Sequence, residues 1–262
     1  MFVEITNAPI FVKKTGQGED ALLLHGVPDS AEIWNALTEL VKGHYTCYAP
    51  DLPGFYRSGM PENFQFNLNH YADYIDDLVT KLQLKTPLTL IAHDWGGIFG
   101  MLWACKYPHK VKKFVGGDFP FSSSYKWHEW ATIWRTPLIG ELSMALMNWP
   151  LFKWELQRSS RRLSVEDMWL SYKGRVTRRS TRKVVLSLYR SADPNRIHDW
   201  SDRQKNFAKK VPIDLLWGED DLYVSYQEAD LMHPRSVTVI PHCGHWVPQE
   251  APEAYAKILL QT

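Results

Sequence analysis

The chain has 262 residues, of which 45% are hydrophobic, 13% aromatic and 23% charged, enough for one large α/β domain carrying an insertion. Thirty basic against 29 acidic side chains leave a net charge of +1, which gives no electrostatic case for a nucleic-acid or anionic-membrane partner. No apolar run approaches the roughly 18 to 20 residues of a membrane helix, and Met1 to Lys14 does not read as a signal peptide. The three cysteines, Cys47, Cys105 and Cys243, have neither the even number of a disulfide framework nor the spacing of a metal site. A soluble, cytoplasmic protein is expected.

Taken in order, short apolar runs alternate with helix-like stretches, the pattern of a mainly parallel sheet built from βα units. Ala21–Leu24 reads as a buried strand ending at His25-Gly26. Ile33, Leu37 and Leu40–Val41 recur at helical spacing. Tyr45–Ala49 reads as the next strand and ends in the turn residues 50–54. A helix through Tyr71, Ile75, Leu78–Val79 and Leu82 follows. Leu88–Ala92 is a third strand, joined by a sharp turn to a helix through Phe99 and Trp103 that stops before Pro108. Val111–Val115 is a fourth.

The alternation then lapses. Residues 119–207 are aromatic and basic, with 12 Lys or Arg against 5 Asp or Glu between 151 and 200, and contain no convincing strand. Seven of the chain's 12 tryptophans lie between Trp127 and Trp200; most are expected to pack short helices together, with one or two lining a site. The alternation resumes at Ile213–Trp217 and Ser236–Ile240, with a last helix from about Pro252. The expected organisation is therefore a core of residues 1–118 and 208–262, interrupted by a helical lid over 119–207.

Four strand ends carry residues suited to chemistry. In Leu88-Thr89-Leu90-Ile91-Ala92-His93-Asp94-Trp95-Gly96-Gly97 a strand runs straight into a helix, with small residues two before and two after Asp94. Such a turn strains its middle residue and presents the side chain above the sheet. An aspartate capping the following helix fits the same segment, and on this stretch alone the two readings balance. His245, in His242-Cys243-Gly244-His245-Trp246, lies after the last strand, where it can act as a base. Leu215-Leu216-Trp217-Gly218-Glu219-Asp220-Asp221 ends another strand in acids able to orient that histidine. His25-Gly26-Val27-Pro28 places a backbone N–H where an oxyanion could be held. The chain order, nucleophile then acid then histidine, is that of α/β-hydrolase triads.

With HGVP at 25–28, DLPGF at 51–55, HDWGG at 93–97, WGEDD at 217–221 and GHWVPQEAP at 244–252, the chain resembles α/β-hydrolase-fold proteins of the epoxide hydrolase and haloalkane dehalogenase branch. The resemblance implies a mostly parallel central sheet flanked by helices with an inserted helical lid. It implies Asp94 as nucleophile, His245 as base and Asp221 as the orienting acid. Asp118, 24 residues after Asp94, occupies the alternative acid position used by some dehalogenases. Val27 and Trp95 would supply the oxyanion N–H groups. No cofactor and no metal are implied.

A carboxylate attacking an ester or amide would form a reactive anhydride, whereas attack on a saturated carbon gives a stable alkyl ester. The expected substrate is thus a small apolar molecule with an sp3 electrophile, hydrolysed by water. An epoxide needs a proton donor for its departing oxygen. Tyr189, in the Leu188-Tyr189-Arg190 segment that resembles the end of such lids, is one candidate, and Tyr125 and Tyr172 are candidates for a second. A halide needs only N–H donors, and Trp95 matches the halide-holding tryptophan beside the nucleophile. Val27 counts against the dehalogenases that use asparagine there, and Trp95 and Ile98 stand where fluoroacetate-type enzymes carry arginines. Epoxide hydrolysis is the preferred expectation, dehalogenation the second, and a non-catalytic ligand-binding protein the third.

Overall fold

A computed structural model describes residues 1–172, 176–193 and 200–261. Its eight strands are β1 (Phe2–Ile5), β2 (Ala8–Gly16), β3 (Glu19–Leu24), β4 (Tyr45–Pro50), β5 (Leu88–His93), β6 (Val111–Gly117), β7 (Ile213–Gly218) and β8 (Ser236–Ile240). They form one sheet in the order β1-β2-β4-β3-β5-β6-β7-β8. β1 and β2 are antiparallel to their neighbours, and every pairing from β4 to β8 is parallel.

The expected strands are all present, each within a few residues of its apolar run. Helices cover both faces of the central parallel strands, which is why Ala21–Leu24, Leu88–Ala92 and Leu215–Trp217 are buried at every position rather than alternating; β6 and β8, with Lys112 and Ser236 exposed, are less fully covered. Leu22, Leu24, Leu90 and Ala92 point into one hydrophobic cluster, while Ala21, Leu23 and Ile91 point into the other. Each such leucine, wholly removed from water, contributes on the order of 2 kcal/mol. The helix Trp95–Lys106 is buried along almost its whole length. It is locked to the helix Leu68–Lys81 by stacking of Tyr71 on Phe99, 3.7 Å between ring centres, and by a bond from Trp103 Nε1 to Asp76 (3.1 Å).

Strand register brings the chemistry-bearing loops together. Leu24 pairs with Ala92 across β3 and β5, so the loop from His25 and the turn at Asp94 emerge side by side. His93 pairs with Gly117, which sets Asp118 beside them. This crevice, where the chain order reverses on either side of β3, is where open parallel sheets place their sites. Between β6 and β7 the described residues contain helices and no strand, among them Glu129–Arg135, Ile139–Leu146, Trp149–Ser159 and Arg179–Ser191.

Candidate active site

Asp94 sits at φ 50°, ψ −128° and its side chain makes no capping bond to the helix it precedes. The capping explanation for this aspartate is therefore not the one the fold uses. Its backbone is strained, and space around it is tight. A Cβ on Gly96 would lie 2.3 Å from the Leu24 carbonyl oxygen, and one on Gly26 would lie 2.3 Å from Asp94 Oδ2. Only glycine lets both loops approach this closely.

The two carboxylate oxygens of Asp94 have different surroundings. Oδ2 accepts a 2.7 Å bond from the Val27 N–H, and the Trp95 backbone N–H also favours the ionised form. Oδ1 faces His245 Nε2 at 4.0 Å, a gap too long for a direct bond. The loop carrying Val27 is itself braced: the Leu52 N–H donates to His25 Nε2 (2.9 Å), leaving Nδ1–H to donate to the Gly26 carbonyl (2.7 Å). Burial pushes the Asp94 carboxyl up to about 6, against the pull of His245 and the two N–H groups.

His245 Nδ1 bonds to Asp221 Oδ2 at 2.9 Å. Asp221 Oδ1 accepts the N–H groups of Tyr223 (2.7 Å) and Val224 (3.1 Å), so this carboxyl group is held rigidly in place. The structure thus sets Asp221 rather than Asp118 against the histidine. Burial alone would lower His245, but Asp221, then Asp94 and Asp118, hold its conjugate acid up to about 10. The histidine's backbone is fixed from two sides. His93 Nε2 donates to its carbonyl (2.7 Å), and its own N–H donates to the Ser159 carbonyl at the end of the helix Trp149–Ser159 (3.0 Å).

Above Asp94 and His245 lies an apolar chamber of about 940 Å³, counting the part open to solvent. Its walls include Trp95, Trp127, Trp134, Met144 and Tyr189. The Tyr189 ring meets Trp95 edge to face at 5.0 Å, and its hydroxyl bonds with the Trp95 side chain. Tyr125 also lines the chamber, but its hydroxyl donates to the Tyr223 carbonyl (3.0 Å), so that hydrogen is engaged. Tyr172 is not brought to the site. It follows the helix Val165–Ser171 and lies against Trp149, Phe152 and Trp169.

Three site residues have no sequence signal of their own. His128 accepts the Ala131 N–H on Nδ1 (3.2 Å), which places the proton of the neutral ring on Nε2, 3.4 Å from the Tyr189 hydroxyl. Burial, then the charge of His245, pushes His128 down to about 4, so the ring is neutral at physiological pH. Tyr223 lies edge-on to His245 at 4.9 Å, and its hydroxyl donates to Glu155 (2.6 Å). A histidine or glutamate amid tryptophans carries no spacing that marks it, and only the packing of the helices reveals them.

A sheet of this order, with a strained acid after β5, a histidine after β8 and a buried acid after β7, defines the α/β-hydrolase architecture. Residues 21–258 match the model of the alpha/beta hydrolase family, and the chain belongs to that family. The cis-3-alkyl-4-alkyloxetan-2-one decarboxylase of Shewanella oneidensis is 33% identical over 102 residues, 38% of this chain and 32% of that protein; the chain thus matches about a third of that relative's length. Epoxide hydrolase 3 of Mus musculus is 23% identical over 257 residues, covering 91% of this chain and 68% of the relative. The crystal structure of haloalkane dehalogenase DbeA from Bradyrhizobium elkani superposes with a TM-score of 0.81 at 26% identity, covering 99% of this chain and 95% of that one. Similarity to both kinds of protein supports the branch expected from the motifs. Among the described residues, no helix is long and apolar enough to cross a membrane.

Proposed function

We propose that the protein is a cofactor-free hydrolase that opens epoxides to vicinal diols through an alkyl ester on Asp94, with His245 as base and Asp221 as its orienting acid. The observation that carries this reading is the division of labour at Asp94, with Oδ2 held by the Val27 N–H and Oδ1 turned toward His245 and the chamber. Oδ1 attacks a ring carbon, the carbon–oxygen bond breaks, and the departing oxygen takes the Tyr189 hydroxyl proton. His245 Nε2 then removes a proton from water, whose oxygen adds to the Asp94 carboxyl carbon. The tetrahedral oxyanion forms on Oδ2, where the Val27 and Trp95 N–H groups stabilise it. Collapse releases the diol, whose second oxygen takes the proton from His245; the regenerated Asp94 carboxyl loses the remaining water proton to solvent and Tyr189 regains one from solvent, which restores the starting state. Once Asp94 is esterified its charge is gone, which weakens the hold on the imidazolium and lets His245 act as a base.

His128 supports the choice of Tyr189 as proton donor. Its Nε2–H points to the tyrosine oxygen, leaving the hydroxyl hydrogen free for the substrate. The name of the Shewanella relative also specifies a strained oxygen ring, a four-membered one. Haloalkane dehalogenation is the second reading, favoured by Trp134 Nε1, a buried N–H that finds no hydrogen-bond partner among the described residues, on a residue of the chamber wall. Tyr189→Phe separates the two. Diol formation from styrene oxide is expected to fall about 10²- to 10⁴-fold, whereas bromide release from 1,2-dibromoethane, which needs no proton donor, would persist under the second reading.

The first step needs ionised Asp94, which exists above about pH 6 and is lost below it. The single-turnover rate of ester formation is therefore expected to fall about tenfold per unit below that pH, as followed by stopped-flow quenching of tryptophan fluorescence. A single turnover in heavy-oxygen water tests the covalent route. Label in the Asp94 peptide supports it, and label confined to the product rejects it. The helical segment 119–207 is proposed as the lid over a core of 1–118 and 208–262. Three buried cysteines, all free, support a reducing, cytoplasmic setting.

A further inference from the structure

Behind His245 lies a second acid for which the proposed cycle has no task. Asp118 is wholly buried, and one ligand atom from each of Asp118, Asp221 and His245 lies within 4.8 Å of the others. Two carboxylates this close, removed from water and sharing a single imidazole, do not both ionise at neutral pH. Their hydrogen bonds show which one keeps a proton. Asp221 receives the Tyr223 and Val224 N–H groups and the His245 Nδ1–H, three donors that favour an anion. Asp118 receives one, from the Gly218 N–H to Oδ1 (3.1 Å), and among the described residues its buried Oδ2 meets no donor within hydrogen-bond geometry. A buried carboxyl oxygen that receives no donor and lies near another carboxylate is satisfied when it carries a hydrogen of its own.

We propose that Asp118 is a protonated acid that donates its hydrogen to Asp221, a positioning residue that holds the pair at one negative charge and thereby sets how strongly His245 binds its proton. This rests on the reading of His245 as the base. The other titratable groups facing Asp118 do not replace that arrangement. His93 Nε2 on β5 stands 3.7 Å from Oδ2, but burial drives His93 well below its ordinary value and keeps it neutral. Cys243 on the loop after β8 and Tyr255 on the C-terminal helix Pro252–Leu260 are both pushed up, first by burial, and remain neutral.

The consequence concerns the acidic limb of ester hydrolysis, which reports the proton affinity of His245. Asp118→Asn keeps both the neutrality and an N–H donor, so the limb is expected to stay within about 0.3 units of wild type. Asp118→Ala removes the donor, strengthens the negative charge on Asp221 and is expected to raise the limb by roughly one unit. Single-turnover hydrolysis of the styrene oxide ester across pH measures both. A downward shift in Asp118→Asn would mean that a charge had been removed, and no shift in Asp118→Ala would mean that no hydrogen had been donated. Either result overturns the proposal. A second measurement needs no substrate. Infrared difference spectra of the resting enzyme at pH 8, wild type minus Asp118→Asn, should show a protonated carboxyl band that moves in heavy water; its absence also overturns the proposal. If styrene oxide is not turned over while the band is present, the epoxide reading fails and the shared proton stands.

Discussion

Replacement of Asp94 by alanine is expected to abolish turnover of both styrene oxide and 1,2-dibromoethane, by about 10⁴-fold or more, because no neighbouring group can form the ester in its place. The fold should survive the change. The side chain makes no capping bond to its helix, and its removal takes a charge out of a site where burial already disfavours ionisation. Near-ultraviolet circular dichroism unchanged beside a lost rate would place the defect in chemistry. Turnover within tenfold of wild type would reject Asp94 as nucleophile for either substrate class, and with it the proposed route.

His245→Gln is expected to stall the cycle at its midpoint. Ester formation needs the Asp94 carboxylate and a proton donor, and neither is on position 245. Ester hydrolysis needs a base beside the carboxyl group, and Nε2, 4.0 Å from Oδ1 and not bonded to it, is free to take a proton from a water attacking the carboxyl carbon. The variant should give one rapid equivalent of ring opening, then a steady rate lower by at least about a thousandfold. The intact-protein mass should rise by the mass of one styrene oxide, with the adduct on the Asp94 peptide. A slow steady rate with no burst and no adduct would show that His245 serves the first step or only the structure.

Much of this arrangement is legible in the sequence, for reasons that differ from element to element. β5 and most of β3 and β7 are buried on both faces, so Leu88–Ala92, Ala21–Leu24 and Leu215–Trp217 stand out as apolar runs, whereas β6 shows itself only by Val111 and Phe114–Val115 on either side of Lys112 and Lys113. β1 and β2 escape such a reading. They lie at the antiparallel edge, where Phe2–Ile5 and Ala8–Gly16 alternate between buried and exposed positions, and β2 carries Lys13 and Lys14. The turn at Asp94 is visible because steric crowding demands small residues at 92 and 96. WGEDD at 217–221 favours Asp221 over Asp118, but both acids follow neighbouring strands, and only the geometry shows which oxygen reaches Nδ1. Tyr189 is marked by its segment, whereas Tyr172 and Tyr125 are distinguished only by where the helices between β6 and β7 carry them. His128 and Glu155 depend entirely on that packing.

The bond from the His245 N–H to the Ser159 carbonyl ties the roof of the chamber to the residue proposed to activate water. A Cβ on Gly244 would lie 2.1 Å from that same carbonyl oxygen, so the two segments are fitted to each other with no slack. Transplanting the helices between β6 and β7 from a relative, in order to change substrate range, would therefore also reset the posture of the imidazole. In this scaffold, selectivity and reactivity are not separable cassettes.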